Sequence, residues 1–235
     1  MPGSRPEGVA VPIPGPCGPA LIAHAAGNAA ASAAEAINAG ADFIEVDLWV
    51  HRGRFEARHE RAIYPLPLWF EKWYLRRAPR HPFTLDELLR AAAGKAGVFL
   101  DLKNGGAEAA ALLRETLDAA GPGLPLVVAS SQQWHILREV QAVAPEVALF
   151  YSVDVPASRE LFRSIAERDL QPWGVSCRHS LLTPEWVADV HERGLRVVAW
   201  TVDDPDRAAE LAEWGVDGIT THHVTAVRER LAVPR

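Results

Sequence analysis

Cysteine is nearly absent from this 235-residue chain, which has only Cys17 and Cys177. The two form no CxxC pair and no zinc-knuckle spacing, which excludes a disulfide framework. Each reads as a lone buried thiol. No apolar run approaches the roughly 18 residues of a membrane span. Near the N-terminus, Arg5 is followed by Pro, Gly and Ala without the apolar centre of a signal peptide. The expectation is a soluble cytoplasmic protein with no stable membrane insertion. A basic excess is missing too: 24 Lys+Arg against 30 Asp+Glu leave a formal charge of −6. Both signs are interspersed, so nothing marks a face for nucleic acid or anionic lipid.

What the chain does have is length and regular alternation. With 49% hydrophobic residues it can bury a large core without a structural metal or disulfide. Residues 1–19, carrying Pro12, Pro14, Pro16 and Pro19, read as a flexible Pro/Gly-rich arm, leaving 20–235 as one domain. Short apolar runs near 20–24, 42–48, 97–103, 125–130, 147–151, 172–176, 195–200 and 216–220 read as strands. Amphipathic stretches near 29–39, 84–93, 106–119, 132–143, 158–168, 184–193, 204–213 and 223–231 read as helices. Thr84 with Glu87 forms a capping-box pattern, and Ser158 starts its helix more weakly. Thr183-Pro184 and Asp204-Pro205 place a cap before a first-turn proline, while Gly40, Gly194 and Gly215 stand at helix ends.

Eight strand–helix units in series imply parallel strands, because each helix returns the chain to begin the next strand. The fold class is therefore α/β, and a compact (β/α)8 TIM barrel fits best. An open doubly wound sheet is the alternative, disfavoured by the lack of a glycine-rich first turn. One insertion, about 49–83, breaks the rhythm with Tyr64, Trp69, Phe70, Trp73 and Tyr74. These aromatics either pack on the barrel rim or form a lid over its mouth.

Charge on buried strands is the informative feature. The first strand ends in His24, and the second carries Glu45 and Asp47 on one face with Ile44, Val46 and Leu48 on the other. The third puts Asp101 and Lys103 inward, and the seventh ends in Trp200-Thr201. Inward charge on a buried strand is costly unless paired or bound to a metal. Glu45, Asp47 and Asp101 would converge, and their oxygen donors suit Mg²⁺ or Ca²⁺ better than zinc. The alternative is a set of structural ion pairs with Lys103 and nearby arginines. His59 follows the Arg52-Gly53 turn, with Phe55, Ala57 and His59 on one side of an extended piece. Two histidines near an acidic cluster fit a general acid and base. His222 and His223 follow the last strand and could face the mouth; His51, His81, His135, His179 and His191 read as solvated.

With these residues in view, the chain resembles the glycerophosphodiester phosphodiesterase family, whose barrels are phospholipase C-like. The resemblance spans about 20–225 and rests on LIAHAAGN (21–28), GADFIEVDLWVHRGRFEARHE (40–60), PFTLDELL (82–89), VFLDLK (98–103) and VVAWTVDDPDRAAELAEWGVDGITT (197–221). It implies His24 and His59 as the catalytic acid/base pair, and Glu45, Asp47 and Asp101 as ligands of a divalent cation. It further implies Lys103 on the phosphate and Trp200 on the alcohol or glycerol side. The implied activity is metal-dependent hydrolysis of a small-molecule glycerophosphodiester, or related lipid headgroup diester, to an alcohol and glycerol 3-phosphate.

Three departures stand out. The family's His-Arg-Gly is His24-Ala25-Ala26 here, the Pro-Glu-Asn-Thr that follows it is replaced by alanine-rich sequence, and Asp101 stands for a usual Glu. The missing arginine bears on rate, with Arg178 as a possible substitute; the shorter Asp101 bears on metal geometry. Ala25 motivates a second reading, a catalytically weak barrel binding a phosphorylated ligand. The aromatic insertion motivates a third, phospholipase D-like action on intact lipid.

Overall fold

A computed structural model describes Ile13 and residues 18–63, 65–71, 74–166 and 172–233. The chain runs β1 (Ala20–Ala23), α1 (Ala30–Asn38), β2 (Phe43–His51), β3 (Arg54–Ala57), β4 (Arg61–Ile63), β5 (Leu68–Glu71) and β6 (Tyr74–Arg77). It continues through α2 (Leu85–Ala92), β7 (Gly97–Leu102), α3 (Ala107–Ala120), β8 (Val127–Ser131), α4 (Trp134–Val143), β9 (Ala148–Val153) and α5 (Pro156–Ala166). It ends with β10 (Gly174–Arg178), α6 (Pro184–Glu192), β11 (Arg196–Trp200), α7 (Pro205–Glu213), β12 (Gly218–Thr221) and α8 (Val224–Leu231).

Eight parallel strands follow the order β1-β12-β11-β10-β9-β8-β7-β2, and the β1–β2 pairing closes the ring. This is the expected (β/α)8 barrel, and closure removes the open-sheet alternative. Local chemistry starts the helices where the sequence indicates. Thr84 Oγ1 accepts from the Glu87 N–H while Glu87 accepts from the Thr84 N–H at 2.8 Å, a complete capping box. Thr183 and Asp204 cap α6 and α7 ahead of their prolines. Ser158 instead lies inside α5, bonding back to the Val155 carbonyl at 2.8 Å.

Strand alternation divides the core in two. Ile44, Val46, Leu48, Leu100 and Leu102 face outward and pack beneath the helices. Ala20, Ile22, Phe43, Phe99, Val128 and Phe150 belong to a second apolar cluster, in which Ile13 is buried to 2% exposure. Apart from Ile13, Gly18 and Pro19, the arm expected over 1–19 lies outside the described residues, as does Cys17. Cys177 is buried in the outer cluster, and burial pushes its thiol up to about 12, consistent with an inert core residue.

Two local features shape the mouth. Arg52 (φ 50°) and Gly53 (φ 70°) reverse the chain tightly, so β2 runs to His51 and pairs antiparallel with β3. The insertion then carries its own antiparallel sheet, β4-β5-β6. Trp69 packs inward there, Phe70 and Tyr74 are exposed, and Tyr64 and Trp73 lie outside the described residues. No helix among the described residues is long and apolar enough to cross a membrane.

Candidate active site

The inward faces of the strands turn polar toward their C-terminal ends. Above Phe99 the lumen is lined by Ser130, Ser152, Ser176 and Thr220, and the charged residues ring a cavity of about 180 Å³. Barrel active sites lie at this end because the βα loops converge there. His24, Glu45, Asp47, His59, Asp101, Lys103 and Trp200 all line it.

Glu45 and Asp47 are 5% and 1% exposed, and oxygens of Glu45, Asp47 and Asp101 lie within 4.8 Å of one another. Asp47 and Asp101 are register partners on β2 and β7. Lys103 Nζ lies 2.6 Å from Asp47 Oδ1 and 2.5 Å from Asp101 Oδ2. Asp47 is further fixed by Asn28, whose Nδ2 donates to Oδ2 at 2.7 Å while its Oδ1 accepts the Asp47 N–H at 2.9 Å. Glu45 Oε2 accepts the Ala25 N–H at 2.5 Å.

Burial, reinforced by Asp47 and Asp101, holds the Glu45 carboxyl well above its ordinary range. Burial likewise raises Asp101, with Lys103 opposing. Burial alone would lower Lys103, but Asp101, Asp47 and Glu45 outweigh it and hold the ammonium above its usual range. The cluster is therefore short of positive charge. Asp101 Oδ1 is buried without a hydrogen-bond partner, an open oxygen lone pair beside two other carboxylates. Three hard donors and one unsatisfied oxygen fit a divalent cation and do not single out Mg²⁺ or Ca²⁺.

The histidines flank this cluster. His24 Nε2 lies 4.0 Å from Glu45 Oε2, and its Nδ1 is 3.2 Å from Thr201 Oγ1. Burial first, then His222, lowers its imidazole to about 4. His222 packs against His24 with ring centroids 4.5 Å apart, and its Nδ1 is 2.9 Å from Asp203 Oδ2. His59 lies beyond the end of β3, so the alternation expected through it stops early. Phe55 and Ala57 join the outer core while His59 turns to the mouth. Its Nδ1 meets Glu71 Oε1 at 2.9 Å.

Two of the histidines read as solvated have structural partners or burial instead. His191 Nε2 is 2.8 Å from Asp217 Oδ2, which also takes the Val197 N–H, and His179 Nδ1 is buried. Asn28, Glu71, Thr201 and Asp203 were not legible as site residues. Their partners lie many positions away, and single polar residues at strand ends and in loops carry no periodic signal.

Ala25 stands half-buried at φ 52° and lines a neighbouring groove of about 610 Å³ with His24, Ser32, Glu35, His222 and His223. Arg178 projects from the β10 end with its guanidinium 5.6 Å from the Trp200 ring centroid. Both line a wider basin of about 650 Å³ that also contains Phe70 and Arg61.

Fold and site together define a closed α/β barrel with an acidic, histidine-flanked mouth. The chain belongs to the glycerophosphoryl diester phosphodiesterase family, which it matches over residues 103–226, and so to a class of phosphoric diester hydrolases. That match contains Lys103 and Trp200, whereas His24, Glu45, Asp47, His59 and Asp101 precede it. Among solved structures, a Silicibacter pomeroyi protein aligns with TM-score 0.76 and 21% identity over 92% of this chain and 94% of its own. An Oleispira antarctica phosphodiesterase, solved with its product sn-glycerol-3-phosphate, gives 0.74 and 20% over 92% and 98%. A Parabacteroides distasonis glycerophosphodiester phosphodiesterase gives 0.73 and 20% over 91% and 97%. At these identities the likeness is one of fold. None of the functionally curated proteins matches the chain by sequence.

Proposed function

We propose that the protein hydrolyses a small glycerophosphodiester to an alcohol and glycerol 3-phosphate with a divalent cation at Glu45, Asp47 and Asp101. The carrying observation is the set of three carboxylates, with its unpartnered Asp101 oxygen, sharing one cavity with two histidines. Bound there, the cation would supply Lewis-acid neutralisation of a phosphodiester oxygen. Lys103 binds another phosphoryl oxygen as a point charge, and Trp200 bounds the alcohol side. His24, beside Glu45, accepts a proton at Nε2 from the attacking hydroxyl or water. His59, on the same cavity, gives its own proton to the leaving alkoxide. Residues 20–235 carry the catalytic domain, and the setting is the cytoplasm.

The test is turnover of glycerophosphocholine with Mg²⁺ or Ca²⁺, abolished by EDTA and restored by re-addition. His24→Ala and His59→Ala should each lower kcat about 10²- to 10⁴-fold, with KM little changed. Phosphate-ester binding without turnover by the wild-type protein would favour the weak-barrel reading motivated by Ala25. Turnover of lipid vesicles but not of the soluble diester would favour the lipid reading.

A further inference from the structure

The insertion does more than cover the rim. Its sheet holds the chain on both sides of His59. Arg58, 3% exposed, lies between the rings of Trp49 and Trp69 at 5.0 and 5.5 Å from their centroids. The same guanidinium pairs with buried Glu56 at 3.2 Å and donates to the Glu60 carbonyl. Glu60, also buried, pairs with Arg76 of β6. The backbone at 58–60 is thus anchored, and what remains free is rotation of the His59 ring.

That rotation is settled by Glu71, the last residue of β5. Its Oε1 lies 2.9 Å from His59 Nδ1, and its Oε2 accepts from Tyr74 Oη at 2.8 Å. Glu71 and Tyr74 are register partners in the β5–β6 hairpin. The bond to Glu71 is the first cause holding the Tyr74 hydroxyl up near about 12, so Tyr74 stays a donor. A carboxylate with one oxygen committed to Tyr74 presents the other at a fixed angle. An imidazole donating from Nδ1 then keeps its proton-exchanging nitrogen, Nε2, for the cavity.

We propose that Glu71 is a positioning residue for the phosphodiesterase reaction: it accepts a hydrogen bond from the His59 Nδ1–H and so holds the ring where its protonated form gives the Nε2 proton to the leaving alkoxide and is left as the neutral Nδ1–H tautomer. This rests on the function proposed above. It also gives the insertion a chemical role, since the element that interrupts the barrel rhythm supplies the orienting carboxylate.

The experiment uses the full chain with its divalent cation and compares wild type, Glu71→Ala, Glu71→Gln, His59→Ala and the His59→Ala/Glu71→Ala double variant. Removing the partner that orients a functional histidine typically costs about 10- to 100-fold, so Glu71→Ala should lower kcat by that order with KM little changed. Glu71→Gln, which retains an acceptor oxygen, should recover part of the loss. The double variant should be no slower than His59→Ala, because Glu71 acts through that ring. A diester with a nitrophenolate leaving group needs little protonation, so the Glu71→Ala defect should shrink on it. Nitrogen NMR of the His59 ring should find the neutral proton on Nδ1 in wild type and moved toward Nε2 in Glu71→Ala.

Wild-type kcat in Glu71→Ala, an equal defect on both leaving groups, or an unchanged tautomer would overturn the inference. Absence of turnover in the wild-type chain would instead overturn the functional reading, and the NMR tautomer would still decide the Glu71 contact.

Discussion

Asp47 and Asp101 stand opposite each other on neighbouring parallel strands and share one ammonium, Lys103 Nζ, at 2.6 and 2.5 Å. Glu45, two residues before Asp47 on the same inward face, receives the Ala25 N–H instead. Both readings of the acidic cluster drawn from the sequence thus meet at one place. Lys103 makes the ion pairs, and the carboxylate charge left over fits a cation.

The first prediction follows from that surplus. Burial and the neighbouring carboxylates raise the Glu45 carboxyl in the folded protein. An acid whose native pKa exceeds its unfolded value contributes fully below about pH 4.3, and that contribution is lost as pH rises through the native pKa. Glu45→Gln removes the titration and keeps an acceptor for Ala25. Without metal, the variant should melt above wild type near about pH 8 and with it near about pH 4. Each 1 kcal/mol relieved corresponds to about 2–4 °C in a domain of this size. Added Mg²⁺ or Ca²⁺ should stabilise wild type far more than the variant. Calorimetric melts at the two pH values decide it, and identical curves at both would remove Glu45 from the charge balance.

Gly27 tests how the first loop holds the acidic strand. A Cβ built there would lie 2.6 Å from Val46 Cβ and 3.0 Å from the Glu45 carbonyl oxygen. Neither neighbour is the free end of a flexible side chain. Gly27→Ala should cost about 1–3 kcal/mol, the usual range for overpacking a tight contact. Divalent affinity should fall with it, because β2 is pushed where it carries Glu45 and Asp47. Urea unfolding and titration calorimetry measure the two effects, and wild-type values in both would show that the loop yields freely.

Ala25 marks the missing family arginine. It already sits at φ 52°, so Arg pays no new backbone penalty over Ala. A charge-assisted hydrogen bond to a phosphoryl oxygen contributes about 1.5–3 kcal/mol, or roughly tenfold to 150-fold in rate if made in the transition state. Ala25→Arg should therefore raise kcat/KM on glycerophosphocholine by that order. If it does not, while Arg178→Ala loses a comparable factor, the phosphate is gripped from the end of β10.

Much of the site was legible because its residues lie on strands. Period-two alternation places Glu45 and Asp47 together and Ile44 and Val46 apart from them, whatever the rest of the chain does. Barrel topology then brings Asp101, Lys103 and His24 to the same end. His59 was singled out by its place near the acidic cluster and by the resemblance, while the alternation expected through it stops at Ala57, the end of its strand. Glu71 lies between Phe70 and Lys72, with nothing in its spacing to mark it.

By itself, then, the sequence determined what local rules control: eight strand–helix units, their caps, and which strand faces carry charge. These depend on neighbours within a few residues, where sterics and hydrogen bonding act directly. Tertiary structure alone decided which charges meet. Lys103 settles between Asp47 and Asp101, Asn28 braces Asp47 from 19 positions away, and Glu71 reaches His59 from a separate sheet. Such contacts depend on strand register, loop path and burial, quantities fixed only when the barrel closes and water leaves its mouth.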